Sequence, residues 1–264
     1  MTGQCFKDGH RGPIPAPGFY LPFHESWPLK VRDYFNGNPD AYDAFKEHPE
    51  YTETFVAVLK NFLERAKAEG WTETGFQLYL NNKGSLEDRN KAPWILDEPA
   101  SFWDFRALRF YGDWVKKASE GLEGNLRYRI DISQPEFDRG QLRDTGDLWV
   151  VNWGVYRKYK RLLDERRRQG RRVEYWVYGQ APGVERGPGQ IQAWALEAYL
   201  KGASGLVPWQ TVAWGPEALT KADPLALFIL GRRHEGDRVK VWPTLRLREF
   251  RRAQQDVECL ELLR

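Results

Sequence analysis

The segment Trp94-Ile95-Leu96-Asp97-Glu98-Pro99 is an apolar run that ends abruptly in two adjacent acids and a proline. Proline cannot donate to a sheet ladder, so it ends a strand and leaves both carboxylates at the strand's mouth. Side chains alternate along a strand, so neighbouring acids share a site only where the last residues distort. Two carboxylates held in an aromatic pocket titrate apart. The one with the raised pKa can donate a proton while its neighbour stays ionised. The competing reading has Asp97 capping the helix that follows and Glu98 facing solvent.

Whether other residues join this pair depends on the elements around it. Apolar runs near Phe19 and at 75–80, 92–97, 126–132, 147–152, 172–178 and 205–209 read as strands. Helical patterns lie between them, after Asn38-Pro39 to about Glu47, at 49–70, about 101–120, 153–169 and 190–203, with a closing helix at about 245–263. In the second of these, Phe55, Val58, Leu59, Phe62 and Leu63 recur at three and four, and Gly70 stops it. This alternation predicts a single α/β domain over 1–264, a (β/α)8-type (TIM) barrel with an incomplete or irregular first unit behind an irregular 1–18 lead-in. Neither G-x-G-x-x-G after the first strand nor G-x-x-x-x-G-K-[ST] occurs, which removes the main support for nucleotide-binding folds.

In such a barrel the βα loops converge at the C-terminal ends of the strands. The residues there are His24 and Glu25; Asn81, Asn82 and Lys83; Asp97 and Glu98; Asp131; Asn152 and Trp153; Tyr178; Trp209 and Gln210. Acids, amides and flat rings together suit carbohydrate chemistry better than hydride or phosphoryl transfer. Glycoside hydrolysis ordinarily needs two acids across the scissile bond. An adjacent Asp-Glu pair also suits a substrate-assisted route, in which a 2-acetamido oxygen of the sugar is the nucleophile and the second carboxylate orients and polarises that amide.

Composition narrows the partners. The chain carries 40 Lys and Arg against 37 Asp and Glu, a net charge of +3, which argues against a duplex-binding surface, since phosphate recognition usually shows as a clustered basic excess. The basic run 157–172 reads as a solvated outer helix with Asp164 and Glu165 as counterions. Twelve Trp, 12 Tyr and 14 Phe supply both core and stacking surfaces. No uncharged apolar stretch reaches membrane-spanning length, and a signal peptide removed from a longer product would make the protein secreted or periplasmic. Cys5 and Cys259 are far apart and the four His are scattered, so neither a disulfide framework nor a metal centre is expected.

Four segments also carry a resemblance. Pro243 to Leu263, with Leu-Arg-Leu at 245–247, Asp256, Glu258 and a final Leu-Leu, resembles the closing helix of the domain-of-unknown-function 4091 proteins, relatives of glycoside hydrolase family 123, with Ala253 and Cys259 in place of the usual Gly and Tyr. Trp94 to Pro99, Val173 to Gly179 and Lys201 to Trp209 resemble further pieces of that family in the same order. The resemblance implies a retaining N-acetylhexosaminidase-like hydrolase acting through an oxazolinium intermediate, with Glu98 as general acid/base, Asp97 orienting the acetamido group, a carbohydrate substrate, and no metal or cofactor. Tyr178 and Trp209 are placed on the sugar by strand-end position alone. Two alternatives stand beside this: a two-carboxylate glycosidase pairing Glu98 with Asp131 or Glu25, and a carbohydrate-binding barrel without activity.

Overall fold

The structure, a computed structural model, describes residues 14–35, 48–83, 94–122, 125–170, 173–187, 189–213, 220, 225–230 and 241–264. It is an α/β fold built on a six-stranded sheet. The strands are β1 (Gly18–Tyr20), β2 (Gly75–Tyr79), β3 (Leu126–Ile132), β4 (Leu148–Asn152), β5 (Glu174–Gln180) and β6 (Gly205–Trp209). They lie side by side in chain order, and the pairs β1–β2, β2–β3 and β5–β6 are parallel. The helices are α1 (Val31–Tyr34), α2 (Pro49–Ala68), α3 (Phe102–Ser119), α4 (Trp153–Gln169), α5 (Gly189–Leu200) and α6 (Leu245–Leu262). The expected first helix before Glu47 falls outside the described residues.

The chain divides into two compact units, residues 1–149 with 161–173 and residues 150–160 with 174–264. In the first unit the strand period sorts the chemistry. Phe76, Leu78, Tyr128, Ile130 and Ile132 fall on one face of β2 and β3 and are buried. Helices α2 and α3 cover that face: Phe62 meets Phe76 edge-on at 5.0 Å, and the Tyr128 hydroxyl donates to the Leu108 carbonyl at 2.9 Å. The intervening residues Gln77, Tyr79, Arg129 and Asp131 therefore share the opposite face, with Tyr20 beside Gln77 in register. Helix α2 buries Tyr51, Phe55, Leu59 and Leu63, each four residues on, and Gly70 follows it at φ 67°, a conformation that suits glycine.

In the second unit β5 pairs with β6, and Gly205 is dictated by a close approach: a Cβ there would lie 2.6 Å from the Trp176 ring. A small sheet of β7 (Val212–Ala213), β8 (Phe228–Leu230) and β9 (Val241–Pro243) was not expected from the sequence.

One expected strand is absent from the parallel series. Residues 94–97 of the 92–97 segment lie in the connection from β2 to α3, where Ile95 makes an isolated antiparallel bridge with Lys83 and β2 pairs directly with β3. The reason is where the backbone donors go. The Leu96 and Asp97 amides donate to the Asn82 carbonyl at 2.9 and 3.3 Å, and the Ile95 amide donates to the Asp104 carboxylate at 3.0 Å, so no ladder is left to build. The basic run follows expectation as far as helix α4, but Arg166 takes the buried Asp138 of the loop after β3 as its partner.

Candidate active site

The C-terminal ends of β1, β2 and β3, all in the first unit, bring four carboxylates under one another's field. Glu25 follows β1 and is 2% exposed. Its Oε2 accepts the Asn81 amide at 3.0 Å, and its Oε1 lies 3.6 Å from His24 Nδ1. Its backbone carbonyl accepts from Tyr51 Oη, which is itself 2.8 Å from Tyr111 Oη. Glu25 thus anchors the loop that leaves β2.

That loop in turn holds the acid pair. Asn82 receives the Leu96 and Asp97 amides on its carbonyl and donates its side-chain amide to the Trp94 carbonyl. Lys83 Nζ lies 2.9 Å from Asp97 Oδ2, although at 67% exposure this counter-charge is screened by water. From the other side Asp104, fully buried, accepts the Ile95 and Ala100 amides at 3.0 Å each and the Ser101 hydroxyl at 2.8 Å. Ser101 caps α3 by accepting the Asp104 amide at 3.3 Å. The cap of this helix is therefore the Ser101/Asp104 pair, and Asp97 is free of that task. The tie from Asp104 to Ile95 and Ala100 brackets Asp97-Glu98 between two fixed backbone points.

Asp131, at the end of β3, is the electrostatic centre. Arg129 grips both its oxygens, Nε to Oδ1 at 2.7 Å and Nη2 to Oδ2 at 2.8 Å, a fork geometry that fixes the carboxylate plane. The guanidinium also lies 4.7 Å from the Tyr79 ring centroid and reaches Gln77 Oε1 at 3.4 Å. Burial raises the Asp131 pKa against the pull of Arg129 and Lys83. Asp97 is pushed up to about 7, first by burial and then by the charges of Asp131 and Glu98. Glu98 is also raised, by burial and by Asp131, with Lys83 opposing. The Glu25 carboxylate raises the pKa of His24. Of the clustered carboxyls, Asp97 is thus raised to about 7 and Glu98 and Asp131 are raised as well, the direction that general acid–base chemistry uses.

The other expected site residues lie in the second unit. Asn152 ends β4 and its Oδ1 accepts the Gly154 amide at 3.0 Å, so it starts helix α4. Trp153 stacks on Tyr156 at 6.2 Å and meets Trp194 edge-on at 6.4 Å. Tyr178 has a buried hydroxyl with no hydrogen-bond partner among the described residues, and Trp209 is 53% exposed at the end of β6. A cavity of about 540 Å³ in this unit lies among α5, β6 and α6, lined chiefly by apolar side chains such as Ala198, Leu206 and Phe250.

Three residues of the site escaped the sequence reading: Asp104, Arg129 and Tyr20. The first had a signal, since Ser101-x-x-Asp104 before an apolar run is a capping box. Arg129 was visible as the residue two before Asp131 on an alternating strand, on the same face. Among the described residues no group of three or more His, Cys, Asp or Glu is arranged to hold a metal ion, and no helix is long and apolar enough to cross a membrane.

Fold and site together define an α/β protein with a carboxylate cluster at the C-terminal ends of three adjacent strands. No protein-family model, curated protein or solved structure matches the chain.

Proposed function

We propose that the protein is a glycoside hydrolase acting on a 2-acetamido-sugar linkage by substrate-assisted retaining catalysis, on a (β/α)8-type barrel to which the six sequential strands belong. One observation carries the mechanism: of the four clustered acids, only Asp97 and Glu98 are partly exposed. Glu25 is 2% and Asp131 6% exposed, and both Asp131 oxygens are held by Arg129. A conventional nucleophile must reach the anomeric carbon. Neither buried acid is placed to do so, and the substrate's own acetamido oxygen supplies what they cannot.

The steps follow from that division. The acetamido carbonyl oxygen attacks the anomeric carbon while Glu98 gives its proton to the departing glycosidic oxygen, leaving an oxazolinium ring. Asp97 accepts the acetamido N–H and balances the positive charge that develops. Glu98, now a carboxylate, takes a proton from the water that reopens the ring at the anomeric carbon. The charge of Glu98 contributes to the raised pKa of Asp97. An N–H donated to Asp97 favours its ionised form, so substrate binding leaves Glu98 as the proton donor to the leaving oxygen.

The test is release of nitrophenol from aryl β-N-acetylgalactosaminide, β-N-acetylglucosaminide and their non-acetamido counterparts, wild type against Glu98→Gln. Activity confined to an acetamido sugar and lost in the variant is the expected result. Equal rates on the non-acetamido glycosides would overturn the assisted mechanism. Glycan binding without turnover would replace the enzyme with a binding protein.

A further inference from the structure

The molecule displays several large rings to solvent, among them Tyr20 and Trp27, which are 45% and 47% exposed. They differ in what holds them. Trp27 stacks on Phe23 at 5.0 Å, and Phe23 meets Phe62 of helix α2 edge-on at 5.5 Å, which assigns Trp27 to the helix-covered side of the sheet. Tyr20 stands at the end of β1 beside Gln77, on the face that carries Tyr79, Arg129 and Asp131.

Two contacts fix the Tyr20 ring. It meets Tyr79 edge-on at 5.9 Å with an interplanar angle of 66°, and Tyr79 is itself buried and covered by the Arg129 guanidinium. Its hydroxyl lies near the side chain of Asn81, whose backbone amide is tied to Glu25. The ring is close enough to Arg129, Asp131 and Glu25 for each of them to act on its hydroxyl. An aromatic side chain held against a buried ring, yet nearly half exposed, offers a stacking surface at little entropic cost.

We infer that Tyr20 is the stacking platform of the site, taking the apolar C–H face of a pyranose ring bound against Asp97 and Glu98. The inference rests on the glycosidase reading and adds to it a specificity-determining residue outside the acid pair. The physical basis is the ring quadrupole: the negative aromatic face attracts the weakly positive C–H groups on the flat side of a sugar. Sugars with axial hydroxyls on that side lose the contact, so Tyr20 selects among pyranoses by stereochemistry.

The test compares Tyr20→Ala, Tyr20→Phe and Trp27→Ala, using nitrophenyl β-N-acetylglucosaminide and β-N-acetylgalactosaminide for kinetics and saturation-transfer NMR with the free N-acetylhexosamines for binding. Stacking on an aromatic ring contributes roughly tenfold or more to affinity. Tyr20→Ala is therefore expected to raise KM by about tenfold or more with kcat changed less than about threefold, while Tyr20→Phe and Trp27→Ala keep KM within about threefold of wild type. Unchanged KM and saturation transfer in Tyr20→Ala, with wild type active, would overturn the platform and leave the glycosidase reading standing. A wild type that neither binds nor cleaves any of these sugars would overturn both.

Discussion

The strand ends of the two units carry the same kinds of residue, and those of the first unit are wired together. At β1, β2 and β3 the residues are tied in turn: Glu25 accepts the Asn81 amide, the Asn82 carbonyl accepts the Leu96 and Asp97 amides, and within β3 Arg129 grips Asp131. At β4, β5 and β6 the expected residues have separate surroundings. Asn152 starts a helix, Trp153 packs on Tyr156 and Trp194, and the Tyr178 hydroxyl lacks a partner among the described residues. Backbone donors and a buried counter-charge thus fix the residues of the first set relative to one another. Burial and then charge coupling raise the carboxyls of Asp97 and Glu98, and burial raises Asp131 against the pull of Arg129.

That contrast can be broken most sharply at the acid itself. Glu98→Gln should lower kcat/KM by about 10²–10⁴-fold, whereas Trp209→Ala should change kcat by less than about threefold. Comparable losses would erase the distinction between the units. Next in size is the buried tie at the foot of the loop. Asp104→Ala removes acceptors from Ile95, Ala100 and Ser101 together with a helix-cap contact, and should destabilise that region by about 2–4 kcal/mol. Amide exchange at Ile95 and Ala100 reports it directly; unchanged protection there would mean the loop is held by something else.

A pH dependence follows from Asp97. Its pKa rises from the ordinary 3.8 to about 7 in the folded protein, so between those values the folded state binds a proton that the unfolded chain has released. The stability this lends is full below the lower value and is lost as pH rises through the higher one. Asp97→Asn should therefore gain on wild type in thermal stability as pH is raised from about 5 to about 8. A difference that stays constant across that range would show that Asp97 does not hold the proton.

The smallest effect is expected in the second unit. Tyr178→Phe deletes a buried hydroxyl with no partner among the described residues, so stability should change by no more than about 0.5 kcal/mol or improve slightly. A loss of about 2 kcal/mol in a denaturant titration would mean that the hydroxyl is engaged and that the unit has a polar network of its own.

Much of the framework was legible in the residues. The Leu126 to Ile132 run alternates apolar and polar as a two-faced strand must, and helix α4 begins and ends at 153 and 169 as its pattern predicts. The 92–97 run misled because apolar character does not say where backbone amides will bond. Here a carboxylate eight residues beyond Leu96, Asp104, and the Asn82 carbonyl took the donors that a strand would have given to a ladder. The site was legible as types and not as partners. Asp97, Glu98, Asp131 and Glu25 could be named from strand ends, but the roles of Arg129 and Tyr20 depend on register between strands.

The sequence by itself determined the periodicities, and with them which residues lie on the apolar face of the alternating strands and amphipathic helices, because those properties depend only on chain geometry over a few residues. Tertiary structure alone decided which acids meet, which are buried and which keeps a proton near neutral pH. Those properties depend on the distances and dielectric surroundings between residues as far apart in the chain as Glu25 and Asp131, and only the packed sheet sets them.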